Sequence, residues 1–242
     1  MKGFEKCFYD GFLLSNVKEN ISFIKEKFSK KEWNLLFKND KSYFFYDEKN
    51  LLYYFLNEIK AFKLDKSFVK ILAKNEKELS KHLSFLELNS FKPLFLHKEM
   101  SLKNEGLKDL NFSFIREAKK GEIDEIFGFF SKFFSKELFY FSKKDLEKKA
   151  GEILVYEEDK NIKGALIYSK NINSSFLDFI AVDKELRHKN AAFALLSSFF
   201  AKNKESKFFK LFVELSNKRA KNFYERANFA YKESILNFYK NF

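Results

Sequence analysis

Cysteine is almost missing from this chain: Cys7 stands alone among 242 residues. A single thiol excludes an intramolecular disulfide framework and leaves no cysteine pair for a metal site, so no metal is expected. The expected compartment is reducing, and the expected location is cytoplasmic. Proline occurs once and glycine seven times, with none after Gly164, so no Pro- or Gly-rich linker divides the chain. Long apolar runs are missing too: none approaches the roughly 18 residues of a membrane span. The start, Met1-Lys2-Gly3-Phe4-Glu5-Lys6, lacks a signal-peptide pattern. A membrane is therefore not an expected partner. Arginine is scarce, with only positions 116, 187, 219 and 226 among 46 basic residues.

What is present is an ordinary globular balance, 45% hydrophobic and 33% charged. The net charge of +12 raises the question of nucleic acid. The excess is almost all lysine, scattered along the chain beside 35 phenylalanines, as an AT-rich codon bias would produce whatever the function. Nucleic acid is accordingly not the expected partner, although a basic surface suits a polyanionic ligand.

A polar stretch at residues 101–111 divides the chain into an N-terminal α/β part, 1–108, and a C-terminal part, 109–242. In the C-terminal part, residues 112–118 read as a strand and 122–134 as a helix. A second, shorter helix, 142–150, has Ser142 as its N-cap. Strands follow at 153–157 and 164–169, joined by a polar turn, and at 176–182. A helix at 191–202, a strand at 208–215, a helix at 217–227 and closing strands at 231–239 complete the order β-α-α-β-β-β-α-β-α-β. In the N-terminal part, helices are expected at 19–28 and 76–88. A hairpin is expected at 42–57, and strands at 68–73 and 94–97. The strand-helix-strand order of 68–97 echoes that of 208–239, which suggests a degenerate internal repeat. The aromatic residues Trp33, Phe44, Phe45, Tyr53, Tyr54 and Phe55 are expected in a core.

The stretch from Val182 to Leu196 carries the most information. An apolar strand feeds the turn Asp183-Lys184-Glu185-Leu186-Arg187-His188-Lys189-Asn190, which opens directly into the helix Ala191-Ala192-Phe193-Ala194-Leu195-Leu196. Unpaired N–H groups at the positive end of a helix dipole favour phosphate. Downstream lies a second block, Asn217-Lys218-Arg219-Ala220-Lys221-Asn222-Phe223-Tyr224-Glu225-Arg226-Ala227-Asn228-Phe229.

Together, the turn Arg187-x-x-Asn190-x-Ala192, this later block and the β-β-β-turn-helix layout resemble the GNAT superfamily of acyl-CoA-dependent N-acyltransferases. The resemblance covers residues 112–240, a little over half the chain. It implies a mixed, mostly antiparallel α/β sheet flanked by helices, with acetyl-CoA as co-substrate. Amides of His188, Lys189, Asn190, Ala191 and Ala192 would cradle the coenzyme A pyrophosphate, with the Arg187 guanidinium adding a fork of donors. Backbone groups of Ile180, Ala181 and Val182 would pair with the pantetheine arm. Asn217 would either cap its helix or contact that arm. Tyr224 would donate a proton to the departing thiolate. Asn190 and Asn228 occupy places where the family prefers glycine, and asparagine tolerates left-handed backbone better than most residues.

The general base is expected among carboxylates on the sheet, Asp178 within its apolar strand or Glu214 at the end of the next. The implied activity is N-acetylation of a primary amine on a small molecule or peptide by direct attack. The competing possibilities are a non-catalytic acyl-CoA-binding module and a nucleic-acid- or ribosome-associated module on the same fold. The N-terminal part would be a degenerate copy of the fold, a lid over the acceptor, or a homodimer surface.

Overall fold

The computed structural model describes residues 2–39, 42–105, 110, 112–186 and 190–242. Asparagine caps start two helices of the N-terminal region, because a short side-chain carbonyl satisfies an otherwise unpaired N–H of the first turn. Asn20 Oδ1 accepts from the Phe23 amide at 3.0 Å, and Asn75 Oδ1 from the Glu78 amide at 2.9 Å. The elements here are α1 (Lys2–Asp10), β1 (Leu14–Ser15), α2 (Ile21–Ser29), β2 (Asn34–Asn39), β3 (Ser42–Tyr46), β4 (Leu52–Leu56), β5 (Phe68–Ala73), α3 (Glu76–Leu88) and β6 (Lys92–Lys103). The first four strands form an antiparallel sheet in the order β1-β4-β3-β2. Strand β3 is buried on both faces, which explains its unbroken aromatic sequence. Phe44 packs in one core with Val69, Ile71 and Phe85. Phe45 packs in another with Phe4, Ile24 and Trp33. Trp33, Phe44, Phe45, Tyr54 and Phe55 are buried in these cores, and the partly buried Tyr53 stacks on Trp33 at 4.0 Å between ring centres.

The remaining elements are β7 (Ile115–Glu117), α4 (Ile123–Ser131), α5 (Lys143–Lys148), β8 (Ile153–Glu158), β9 (Asn161–Lys170), β10 (Ser174–Val182), α6 (Ala191–Lys202), β11 (Phe208–Glu214), α7 (Lys218–Arg226) and β12 (Ala230–Lys240). Their order is the one the sequence predicts. Strand 112–118 shortens to β7 because residues 112–115 close a turn, the Ile115 amide donating to the Phe112 carbonyl at 2.9 Å. The β8–β9 turn is tighter than expected. Asp159 and Lys160 both adopt left-handed backbone, with φ of 52° and 61°, the geometry that lets a two-residue turn follow the twist of its strands. Helix α1 and strands β1 and β2 have no counterpart among the expected elements, and β6 extends well beyond residues 94–97.

Two compact units result. The first comprises residues 1–99, 213–222 and 232–242; the second comprises 100–212 and 223–231. Within the first, β12 lies between β5 and β6 and pairs antiparallel with β5, from Ile235 opposite Ala73 to Lys240 opposite Phe68. Within the second, the strand order is β11-β10-β9-β8-β7; only β10 and β11 are parallel. Helices α4 and α5 cover one face, with Ile126, Phe130 and Leu146 packed on Val155, Ala165 and Ile167. Helix α6 covers the other: Tyr168, one residue on from Ile167, meets Phe199 at 5.3 Å between ring centres.

Candidate active site

Strand β10 carries a bulge at Asp178. Leu177 lies opposite Tyr168 and Phe179 opposite Ile167, so Asp178 is the extra residue. In a regular strand residues 177 and 179 share a face; here Leu177 follows Tyr168 to the α6 side and Phe179 follows Ile167 to the α4 side. The bulge thereby turns two consecutive side chains, Asp178 and Phe179, toward the same segment. That segment is the α4–α5 connection. Tyr140 donates its hydroxyl to Asp178 Oδ1 at 3.0 Å, and its ring packs 5.1 Å from that of Phe179.

The other carboxylate oxygen is also held. Ser169 Oγ donates to Asp178 Oδ2 at 2.6 Å. Lys149, the C-cap of α5, reaches Ser169 Oγ at 2.8 Å and the Tyr168 carbonyl at 3.1 Å, and it pairs with Glu152. Burial raises the Asp178 pKa above its ordinary 3.8, opposed by the hydrogen bonds from Ser169 and Tyr140 and by the Lys149 charge. Tyr140 keeps 37% of its surface exposed. Its hydroxyl is nonetheless turned inward, and desolvation together with the Asp178 charge holds its pKa well above 10. It remains a proton donor at any physiological pH.

Beside this carboxylate the sheet opens. Strands β10 and β11 pair only from Ser174 opposite Phe208 to Leu177 opposite Leu211. Strand β10 continues through Ile180, Ala181 and Val182, paired on one side alone with Leu166, Ala165 and Gly164 of β9. Gly164 allows the close packing at this end, since a Cβ there would sit 3.2 Å from Tyr156 Cβ, 3.3 Å from Leu195 Cδ1 and 3.4 Å from Val182 Cγ2. Past Val182 the chain leads toward α6. Asn190, its N-cap residue, has left-handed backbone (φ 54°, ψ 25°) and makes no side-chain cap. Asparagine thus does what the sequence requires of it in a glycine's place. Ala191 is buried and Ala192 half-buried. Arg187, His188 and Lys189 lie outside the described residues.

The later block folds as α7 and its exit. Asn217 takes the capping role, its Oδ1 accepting from the Ala220 amide at 3.0 Å. Tyr224 is buried at 6% exposure, its ring 5.2 Å from Phe223 and 5.7 Å from Phe229. Desolvation raises its pKa, so the phenol stays protonated. Asn228 is left-handed at φ 64°, as Asn190 is. Glu214 belongs to the first unit, where it accepts from Ser216 Oγ and its charge acts on His97. Among the described contacts, none joins Asp178, Glu214 and Tyr224 to one another. Tyr140, Ser169 and Lys149 were not expected at the site, because the bulge that brings Asp178 to them has no mark in the sequence.

Residues 120–229 match the family model described as Acetyltransferase (GNAT) family. This part of the chain is a GNAT domain. Solved structures agree in fold. A GCN5-related N-acetyltransferase from Sphaerobacter thermophilus is 16% identical with a TM-score of 0.55, covering 72% of this chain and 59% of its own. This chain therefore spans less than two thirds of that structure. A putative GNAT-family acetyltransferase from Novosphingobium aromaticivorans DSM 12444 is 10% identical with a TM-score of 0.54, covering 73% and 75%. A GCN5-related N-acetyltransferase from Kribbella flavida is 6% identical with a TM-score of 0.52, and covers 93% of this chain and 96% of its own. No curated protein matches the chain. The mixed, mostly antiparallel GNAT-like sheet flanked by helices is thus the fold of the domain. Among the described residues, no helix is long and apolar enough to cross a membrane, and no group of three or more His, Cys, Asp or Glu side chains could hold a metal ion.

Proposed function

We propose that the domain transfers an acetyl group from acetyl-CoA to a primary amine by direct attack, with Asp178 as general base and Tyr224 as general acid. The observation that carries this is a fixed, half-buried carboxylate beside a strand edge that β11 leaves unpaired. The chemistry of the surrounding groups fits the co-substrate. A pantetheine arm is an extended chain bearing amides, and the free edge of Ile180, Ala181 and Val182 offers complementary backbone groups. A pyrophosphate needs N–H donors and close approach; the uncapped first turn of α6, with Asn190, Ala191 and Ala192, offers both. Arg187, His188 and Lys189 are proposed to complete that cradle.

When bound, acetyl-CoA supplies the thioester carbonyl that the amine attacks. Asp178 takes the proton that an ammonium must lose first, and its raised pKa brings it nearer to working pH than an ordinary carboxylate. Tyr224 holds its phenolic proton into the alkaline range, as an acid for a thiolate leaving group must. Asp178 is preferred to Glu214 because hydrogen bonds fix both its oxygens, whereas Glu214 accepts from an exposed neighbour at a strand end. With Asn217 committed to its helix cap, a direct role on the pantetheine arm is not needed.

Acetyl-CoA is expected to raise the melting temperature of the protein. A panel of primary amines of small-molecule and peptide type should then release free coenzyme A. Tyr224→Phe should lower kcat by at least tenfold with little change in coenzyme A binding. Stabilisation by acetyl-CoA without turnover on any amine would instead identify a binding module, and unchanged kcat in Tyr224→Phe would remove the acid assignment.

A further inference from the structure

The polarity of the hydrogen bonds around Asp178 is fixed by chemistry. An ammonium can only donate, so Ser169 Oγ must accept from Lys149 at 2.8 Å. An ionised carboxylate can only accept, so the single hydroxyl proton of Ser169 is given to Asp178 Oδ2 at 2.6 Å. Lys149 has three protons and three acceptors: Ser169 Oγ, the Tyr168 carbonyl and Glu152 Oε2. Its position is determined by the end of α5 and by β9, whatever the charge on Asp178. The start of α5 is fixed as well, by a capping box between Ser142 and Asp145. On the opposite oxygen, Tyr140 donates from the α4–α5 connection.

We propose that Lys149, acting through Ser169, and Tyr140 are the positioning residues of Asp178. They hold its carboxylate in one orientation, occupy one acceptor site on each oxygen, and favour the anion that a base must be. This deepens the function proposed above and rests on Asp178 being the base. A proton taken from an ammonium leaves a neutral amine and a protonated carboxyl. While Ser169 and Tyr140 go on donating, that proton occupies one of the remaining acceptor sites of the carboxyl. It is therefore held away from the network and passes on to water. The groups that act on Asp178 come from three segments: Tyr140 from the α4–α5 connection, Lys149 and Glu152 from the end of α5 and the turn after it, and Ser169 from β9. Glu152 opposes the others by raising the Asp178 pKa.

Two measurements separate this proposal from the one beneath it. The first is a carboxyl-carbon NMR titration of Asp178 in the full chain, its signal assigned by loss in Asp178→Asn. Lys149→Met, Ser169→Ala and Tyr140→Phe should each move the titration to higher pH, since each removes a group that favours the anion. Ser169→Thr keeps a hydroxyl and should return the midpoint toward the wild-type value. A midpoint unmoved in both Lys149→Met and Ser169→Ala overturns the proposal. The second is the pH profile of kcat/KM with acetyl-CoA and spermidine or 2-phenylethylamine as probe amines. Its acid limb should follow the NMR midpoints, and Asp178→Asn should lower kcat by on the order of 10²-fold or more and abolish the limb. If the midpoints move as expected but Asp178→Asn leaves limb and rate unchanged, the base assignment fails while the network stands. If Asp178→Asn abolishes the limb and the midpoints do not move, the network alone fails.

Discussion

At the scale of single residues, two asparagines and one aspartate show what a sequence does and does not reveal. Asn190 and Asn228 replace expected glycines, and both adopt the left-handed backbone that glycine would. That was legible because the conformational tolerance of asparagine is a property of the residue itself. Asn190→Ala should cost about 1 kcal/mol in denaturant unfolding, the left-handed penalty of a residue with a Cβ and no local hydrogen bond, while Asn190→Gly should not. Equal losses in the two variants would show that the asparagine side chain, not the backbone, matters there. Asp178 was also legible as a carboxylate in an apolar strand. Its partners were not, because Tyr140, Lys149 and Ser169 are scattered in sequence and polar in an ordinary way. Only the bulge, a backbone feature without a sequence signature, brings the carboxylate to them.

At the scale of elements, legibility follows the strength of the local signal. Helices α3 and α6 begin and end where the sequence places them; the Asn75 side chain caps α3, and Asn190 starts α6 through its left-handed backbone alone. Strand β3 was found as an apolar run, but its burial on both faces depends on two separate cores. The α6–β9 contact turns on Gly164, where an added methyl meets Tyr156, Leu195 and Val182 together. Two of these neighbours are side chains of packed elements and the third is a Cβ, so none can swing aside freely. Gly164→Ala should therefore destabilise the domain by about 1–3 kcal/mol, read from the urea midpoint. It should also weaken acetyl-CoA binding, since the same contact sets the distance between the end of β10 and α6. A stable variant with unchanged binding would mean that the helix tolerates the shift.

At the scale of the whole molecule, one buried group in each unit responds to acid in the opposite direction to the other. In the first, His82 is buried 2.5 Å from the Tyr54 hydroxyl, and burial, joined by the Lys18 and Lys81 charges and opposed by Glu78, lowers its pKa to about 4. Burial lowers His97 too. Between pH 6.5 and about 4 the unfolded chain binds the His82 proton more readily than the folded unit, so stability falls as pH drops through that window. The limit for His82 is on the order of 3 kcal/mol. In the second unit, Asp178 has a raised pKa, so its contribution grows as pH falls through that value and is complete below 3.8. Trp33, the single tryptophan, belongs to the first unit and reports on it alone. Its fluorescence midpoint in urea should fall between pH 7 and 4.5 by more than the midpoint seen by far-ultraviolet dichroism. His82→Gln should flatten that fall, and an equal fall in the variant would clear His82 of the effect. The placement of β12 between β5 and β6 has a consequence for biosynthesis. The first unit includes residues 1–99, yet its sheet has a gap until residues 230–240 are synthesised. Its folding is completed after, not during, synthesis of the second unit. A premature stop before residue 230 would injure the unit to which residues 1–99 belong.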